Sequence, residues 1–272
     1  MLLLTNGKSV HNPAGGQAMI FKRAAARLRA QDWVAITIEL GIVIIGVFIG
    51  MWAADLNQRR SDKREVRQLL LQLKPELANL QQFADVKRAY YATTRRYAET
   101  AFAGWSNDPK INDEDFVIAA YQASQVSGLS NNGQSWAMIF GGGRLGLIAD
   151  ANVRRPLQRV MTFDYTSISY QAVATRYRDD VRLVIPDSIQ QAIRARCGDQ
   201  LAADGFTLTL PATCTVSIPQ SQAAAAARAL RSHPELVREL AQHQATVGAF
   251  LSALNQLETQ TRVLAGVLSD LH

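Results

Sequence analysis

The chain has 272 residues, of which 48% are hydrophobic and 19% charged, and its formal net charge is +6. This composition excludes a wholly disordered chain, because the apolar content is enough to form a core in one or two domains. Between residues 19 and 67, nine Lys and Arg stand against five Asp and Glu; from residue 68 onward the balance is nineteen against eighteen. A basic nucleic-acid-binding face on the body is therefore not expected.

The first 33 residues divide into two predicted segments. Residues 1–18 contain proline and paired glycines without hydrophobic periodicity, which predicts a flexible tail. Residues 19–33 form a short basic amphipathic segment that we expect at a membrane interface. Its cations favour anionic lipid headgroups, although a solvated stretch also explains them. These cations are Lys22, Arg23, Arg27 and Arg29. We interpret Met19 as the biological start, with Met1 as the alternative.

Residues 34–54 are predicted to form one transmembrane helix. The run has 21 residues, or about 31 Å of helix, which is enough to cross the hydrocarbon core of a bilayer. Trp33 and Trp52 flank it about 28 Å apart, at positions that suit the two membrane interfaces. A cleaved signal peptide fits less well, because the run exceeds a typical apolar core and no convincing A-x-A site follows it.

Two features inside this run carry chemistry. Gly46 and Gly50 form a G-x-x-x-G pair, with Gly41 on a nearby face, so self-association or contact with another membrane protein is expected there. The alternative is that glycine is simply frequent in membrane helices. Glu39 is the one ionisable residue of the run. It is expected either to bind a partner or take part in proton transfer, or else to lie at the interface within reach of the headgroups.

Residues 55–272 predict a mainly α-helical bundle. From Leu56 to Gly104 the sequence predicts a helix with an apolar heptad seam, and Pro75 is expected to kink or restart it near Lys74. A second seam runs along the last helix. The first seam is Val66, Leu70, Leu73, Leu77, Leu80 and Ala84; the second is Val247, Phe250, Leu254, Leu257, Thr261, Leu264, Leu268 and Leu271. We expect the two seams to pack as an antiparallel pair, with an intermolecular coiled coil as the alternative.

Shorter helices are predicted between the two seams. Asp113 or Asn112 is expected to cap a helix that runs to about Val126. Further helices are predicted at residues 151–165, 169–184, 186–196 and 223–230.

An insertion at about residues 197–219 contains both cysteines of the chain. Cys197 and Cys214 flank turn residues and predict a disulfide, with two unrelated thiols as the alternative. A zinc site is not expected, because two further ligands are lacking nearby. Two alternating runs, Phe206–Leu210 and Thr215–Ile218, predict a β-hairpin. A disulfide implies an oxidising compartment, which favours a cytoplasmic N-terminus and a periplasmic body, since the charges flanking the membrane run do not decide its orientation.

Two stretches resemble a family of uncharacterised bacterial single-pass membrane proteins. The first is E-x-x-I-V-I-I-G-V-F-I-G from Glu39 to Gly50, followed by a polar exit. The second runs from Trp136 to Tyr165 and carries the pattern G-x-L-x-L-I-x-D-x-x-V-R. Its members are Gly143, Leu145, Leu147, Ile148, Asp150, Val153 and Arg154. The resemblance covers about half of the chain and implies a membrane-anchored helical domain, without a known activity or known catalytic residues.

The second motif also has a direct physical interpretation. Its glycines allow a sharp turn, after which Leu145, Leu147 and Ile148 are expected to be buried. Asp150 is placed to cap a helix beginning at Ala151. An anion site at this helix start is the alternative, but the Lys-Ser/Thr of a phosphate loop is missing.

The sequence contains no recognised catalytic motif. It has no G-x-S-x-G, no H-E-x-x-H, no Walker loop and no dinucleotide fingerprint, so neither an enzyme nor a cofactor or metal is expected. The leading hypothesis is an oligomeric scaffold or accessory subunit in the bacterial inner membrane, with the lipid bilayer and another copy or membrane protein as partners. The alternative is a single-pass receptor or sensor that binds a ligand through its periplasmic domain.

Overall fold

The computed structural model describes residues 33–129, 131, 134–141, 143–205 and 207–269. It divides into two compact units, with the boundary between Lys63 and Arg64. We call the described part of the first unit (33–63) the membrane-helix unit and the second the body. The predicted tail and the basic segment lie outside the described residues, apart from Trp33.

The fold is mainly α-helical with a small two-stranded sheet, as the sequence predicts. In chain order the α-helices of the described residues are α1 (Trp33–Trp105), α2 (Asp113–Gln122), α3 (Gln134–Phe140), α4 (Ala151–Met161), α5 (Tyr170–Val173), α6 (Arg176–Val184), α7 (Asp187–Cys197), α8 (Gln220–Arg231) and α9 (Glu235–Ser269). Two 3-10 helices, Arg144–Leu147 and Tyr165–Ile168, join α3 to α4 and α4 to α5. The strands are β1 (Gln200–Leu201) and β2 (Leu208–Thr209).

Helix α1 contributes residues to both units and does not end at Pro75. The predicted restart near Lys74 is wrong, because the helix continues through the proline. Pro75 has no N–H to donate to the carbonyl of Leu71, four residues earlier in the helix. Both residues lie on the exposed side of α1. Water can hydrogen-bond that carbonyl, which lowers the cost of the proline.

In the body, α1 and α9 pack as the predicted antiparallel pair. The rings of Tyr91 and Phe250 lie 5.2 Å apart, while Gln81 Nε2 donates to Glu258 Oε1 at 3.1 Å. Later residues of α1 therefore contact earlier residues of α9, so the two helices run antiparallel. The predicted α9 seam is buried at every described position. In the α1 seam Leu73, Leu80 and Ala84 are buried, while Val66, Leu70 and Leu77 are half-buried.

The shorter helices cover the remaining sides of this pair. Helices α4, α5 and α6 contact α9, and α2 contacts α8 and α6. The side chain of Asn112 caps α2 by accepting from the N–H of Asp115 at 2.8 Å, as predicted, but the helix ends at Gln122 rather than at Val126. The predicted helix 169–184 is interrupted between α5 and α6, where Ala174 and Thr175 are extended.

The β-hairpin forms from different residues than the sequence predicts. Strand β2 lies within the predicted run 206–210, but its antiparallel partner is β1, and residues 215–218 form no strand. The turn explains the pairing, because the side chain of Asp204 accepts from the N–H of Thr207 at 2.8 Å and Gly205 takes a positive φ of 70°. Within 215–218, Val216 and Ile218 are buried instead, as part of the core.

Candidate functional site

One face of the membrane-helix unit combines the carboxylate of Glu39 with the glycine pair. At 100° per residue, Glu39, Gly46 and Gly50 lie within about 40° of one another around an α-helix. A Cβ at either glycine would meet nothing within 4 Å. Gly41, which was predicted on a nearby face, instead lies about 140° around the helix from Gly46.

The membrane-helix unit exposes its apolar side chains. It contains the one helical segment of the described residues that is long and apolar enough to cross a membrane, and none of that apolar stretch is buried within the protein. Trp33 and Trp52 are exposed as well, as interfacial anchors would be. Their location at an interface stays a prediction, and the basic residues Lys22, Arg23, Arg27 and Arg29 lie outside the described residues.

The two cysteines are brought together in the body. Cys197 is the last residue of α7, and its Sγ lies 2.01 Å from that of Cys214, with the Cα atoms 5.5 Å apart. The bond closes a loop that contains the β-hairpin. The predicted pairing is therefore present in the structure.

The loop–helix motif has a structural role. Gly143 takes a positive φ of 85°, which an L side chain rarely adopts. The side chain of Asp150 caps α4 by accepting from the N–H of Asn152 at 2.8 Å, and Arg154 donates to the carbonyl of Ile148 at 3.0 Å. Ile148 is buried as predicted, whereas Leu145 and Leu147 are only half-buried. An anion at this helix start would compete with the carboxylate of Asp150, which weakens the anion-site alternative.

Residues 123–129, which we call the buried polar segment, pass through the body outside helices and strands, and the first five of them are buried. Ser124, Gln125 and Ser127 in it are at most 6% exposed. Buried backbone outside helices and sheets needs other hydrogen-bond partners, and here cations supply them. Lys87 Nζ donates to Ser127 Oγ at 2.8 Å and also to the carbonyl of Leu129, while Arg178 Nη1 donates to the carbonyl of Ser124 at 2.8 Å.

Lys87 is 1% exposed, and burial lowers its pKa to about 8. The negative charge of Asp199 opposes this change, and Asp199 itself accepts a hydrogen bond from the Tyr90 hydroxyl at 2.7 Å. Lys87 holds the buried polar segment rather than facing solvent. Sequence reasoning missed it, although the signal was present: continued 3,4 spacing from Ala84 places Lys87 and then Tyr91 on the seam.

His243 is also fully buried, on the seam of α9. Its Nδ1 lies 2.7 Å from Thr175 Oγ1, and its ring lies 6.0 Å from that of Tyr177. Burial lowers the pKa of His243 to about 4, and the charge of Arg178 acts in the same direction. The imidazole is therefore neutral at physiological pH and contributes to packing.

A groove lies along the exposed flank of the α1–α9 pair, with a volume of about 580 Å³. We call it the α1/α9 groove. Buried or half-buried apolar side chains form its floor, and Ala92, Ala245 and Gly248 keep it open. Its polar residues are Arg88, Arg95, Glu99 and Gln244. Sequence patterns did not indicate this groove, because it exists only where two helices distant in sequence meet.

Among the described residues, no group of three or more His, Cys, Asp or Glu side chains is arranged to hold a metal ion. The class defined by the fold is a mainly α-helical protein with one helix able to cross a membrane. No protein family, curated protein or solved structure matches this chain. The resemblance to the bacterial single-pass family therefore stays a prediction.

Proposed function

We propose that this chain is a membrane-anchored scaffold or accessory subunit that self-associates through the Glu39–Gly46–Gly50 face. The observation that carries the proposal is that Glu39, Gly46 and Gly50 share one side of the helix, where a Cβ at either glycine would meet nothing within 4 Å. In lipid, close backbone approach at small residues drives helix association, because apolar burial gives no advantage there. The carboxyl group of Glu39 on the same face would then be shielded from lipid by the partner helix.

The packing of the body supports association through the membrane helix rather than through a coiled coil. Both heptad seams are used within one chain, where Tyr91 meets Phe250 and Gln81 meets Glu258. An intermolecular coiled coil would have to separate this pair first. The glycine face needs no such rearrangement.

The cysteine pair supports a proposed compartment for the body. A disulfide persists in an oxidising environment, so we place the body in the bacterial periplasm, the anchor in the inner membrane and the N-terminus in the cytoplasm. The surrounding bilayer is the first partner. We propose no catalytic activity and no cofactor.

Crosslinking in native membranes tests the proposal, with variants that fill the glycine face. We expect Gly46→Leu and Gly50→Leu to lower the dimer yield about tenfold, which corresponds to about 1.4 kcal/mol of association free energy. Gly41→Leu is the matched control, since it adds the same bulk on the other side of the helix and should leave the yield unchanged. Equal yields in all three variants and the wild type would reject the proposal.

A second function, that of a receptor or sensor, is favoured by the α1/α9 groove. Ligand sites in proteins are concave, mostly apolar and edged by a few polar groups, and the groove has these properties. A receptor function and self-association are compatible, because the groove and the glycine face belong to different units.

A further inference from the structure

Two arginines of α6 carry charges that no carboxylate pairs with among the described residues. Arg178 and Arg182 lie about one turn apart on this helix, and both are half-buried. Arg178 Nη1 donates to the carbonyl of Ser124 at 2.8 Å, and Arg182 Nη2 donates to Gln125 Oε1 at 3.1 Å, so both cations are bonded to neutral groups of the buried polar segment. Like charges four residues apart on a helix repel each other. Burial, and next to it the charge of Arg178, lowers the pKa of Arg182.

The two guanidinium groups are held close together. Gln125 Oε1 also accepts from Arg178 Nη1 at 3.4 Å, so the two donating nitrogens are at most about 6.5 Å apart, the sum of their distances to this oxygen. The Cζ of Arg182 lies 4.8 Å from the centre of the Tyr121 ring, a cation–π contact that fixes the guanidinium plane. The positions of both cations are therefore set by the fold before any ligand arrives.

Each guanidinium keeps N–H donors for a further acceptor. The Nε and Nη2 of Arg178 and the Nη1 of Arg182 donate no hydrogen bond to the described residues, and none of these three nitrogens is buried. A solute can therefore reach them. Lys87 differs in this respect, because it is 1% exposed and its ammonium group already bonds to the buried polar segment.

The local charge balance favours a dianion. Burial raises the pKa of Asp199, while a hydrogen bond from Tyr90 and the charges of Arg178, Arg182 and Lys87 oppose the rise. Three cations thus act on this one carboxylate, which leaves an excess of two positive charges. A phosphate dianion carries the matching charge, and its oxygens fit the edge of a guanidinium group. A carboxylate, or the phosphodiester of a phospholipid headgroup, carries a single negative charge and matches less well.

We propose that Arg178 and Arg182 bind the phosphate dianion of a small soluble molecule, either inorganic phosphate or a phosphate monoester, through their free N–H groups. The inference rests on the receptor function and gives it a ligand class. Neither arginine lines the α1/α9 groove, so the site is separate from that groove. It is also independent of self-association through the membrane helix.

Isothermal titration calorimetry of the full chain in dodecyl maltoside micelles tests the inference, with inorganic phosphate as the probe in a phosphate-free buffer at about pH 7.5, where the dianion is well populated. We expect wild type to bind phosphate. Arg182→Lys keeps the positive charge but loses the planar fork, so it should weaken binding about tenfold. Arg155→Gln is the control, because Arg155 is exposed on α4 without an ion pair among the described residues, and it should keep wild-type affinity.

Circular dichroism shows whether each variant is folded, and Arg178→Lys is a second variant with the same expected loss. No phosphate binding by folded wild type would overturn the proposal. Equal affinities in wild type and in both folded lysine variants would also overturn it, and so would an equal loss in Arg155→Gln.

Other anions test the charge and the source of the phosphate group. Acetate should bind severalfold more weakly than phosphate, and equal affinity would overturn the preference for a dianion. Glycerol 3-phosphate that binds more tightly than inorganic phosphate would identify a monoester as the ligand, and the reverse order the free ion. Competition by phosphatidylglycerol added to the micelles would assign the site to a lipid surface and overturn the proposal, while dimer yields measured on Gly46→Leu report separately on self-association.

Discussion

Lys87 shows how one residue determines the path of the chain through the body. The carbonyls of Ser127 and Leu129 lie outside helices and strands, so they need a donor from elsewhere in the body. The ammonium group of Lys87 donates to both carbonyls and to the hydroxyl of Ser127. A lysine is rarely buried to 1% exposure without such pairing. Its lowered pKa records the cost of removing the charge from water.

We expect Lys87→Met to lower the free energy of unfolding by about 2 kcal/mol at neutral pH, because it leaves buried carbonyls without a donor. The pKa of Lys87 is about 8 in the folded chain and 10.5 ordinarily. Between these values the unfolded chain holds a proton that the folded chain has released, so wild-type stability rises with pH through that window. Lys87→Met has no amine to titrate, so its stability lacks this rise. The difference in free energy of unfolding between wild type and variant should therefore grow as pH rises from 8 toward 10.5.

Urea unfolding of the full chain in detergent micelles, followed by circular dichroism, measures this difference. Lys74→Met is the control, since Lys74 is an exposed lysine on the same helix and its replacement should change little. A difference between wild type and Lys87→Met that stays constant across the pH window would contradict the lowered pKa.

At the scale of elements, α1 carries a residue that opposes its own secondary structure. Pro75 lacks the N–H that a helix interior uses, yet the helix continues through it because the affected turn is exposed and the seam on the other side is buried. Tertiary packing of Leu73 and Leu80 thus outweighs the local propensity of one residue.

Pro75→Ala should therefore stabilise the chain. Alanine is favoured over proline in a helix interior by about 3 kcal/mol, and the freer unfolded chain returns up to about 1 kcal/mol, so we expect a gain of about 2 kcal/mol. The thermal unfolding midpoint of the full chain in micelles reports this gain, with Lys74→Ala as a neighbouring control. A lower midpoint for Pro75→Ala would mean that the conformation at the proline is needed by the fold.

For the whole molecule, the cysteine pair is the feature on which the proposed periplasmic location of the body rests. Cys197 and Cys214 lie 17 residues apart, and a crosslink closing a loop of this size stabilises a protein by about 3 kcal/mol. A domain of this size can bury a large core, so we expect the body to fold without the crosslink, and the presence of the bond in native protein would then report on the redox environment.

We expect native protein from bacterial membranes to resist thiol alkylation until it is reduced. A maleimide reagent read out by a mass shift measures this, and the Cys197→Ser/Cys214→Ser double variant supplies the unlabelled baseline. Alkylation of both residues before reduction would overturn the periplasmic assignment of the body, while leaving the membrane anchor as it is.

The sequence by itself determined those features that depend on neighbouring residues and on helical period. The length of the apolar run predicts the helix able to cross a membrane, the 3,4 spacing predicts which residues of α9 are buried, and Asp150 and Asn112 predict helix starts. The two cysteines were predictable as a pair because the chain contains no others. Each of these features follows from rules that act over a few turns or from composition.

The tertiary structure alone decided the features that require residues far apart in sequence to meet. The partner of β2 is β1 rather than residues 215–218, because the turn at Gly205 favours the local hairpin while Val216 and Ile218 are buried in the core. The burial of Lys87 depends on where the chain passes after α2, and the α1/α9 groove depends on two helices about 150 residues apart. Hydrophobic patterning sets which face of a helix is buried, but only packing sets what that face and its edges touch.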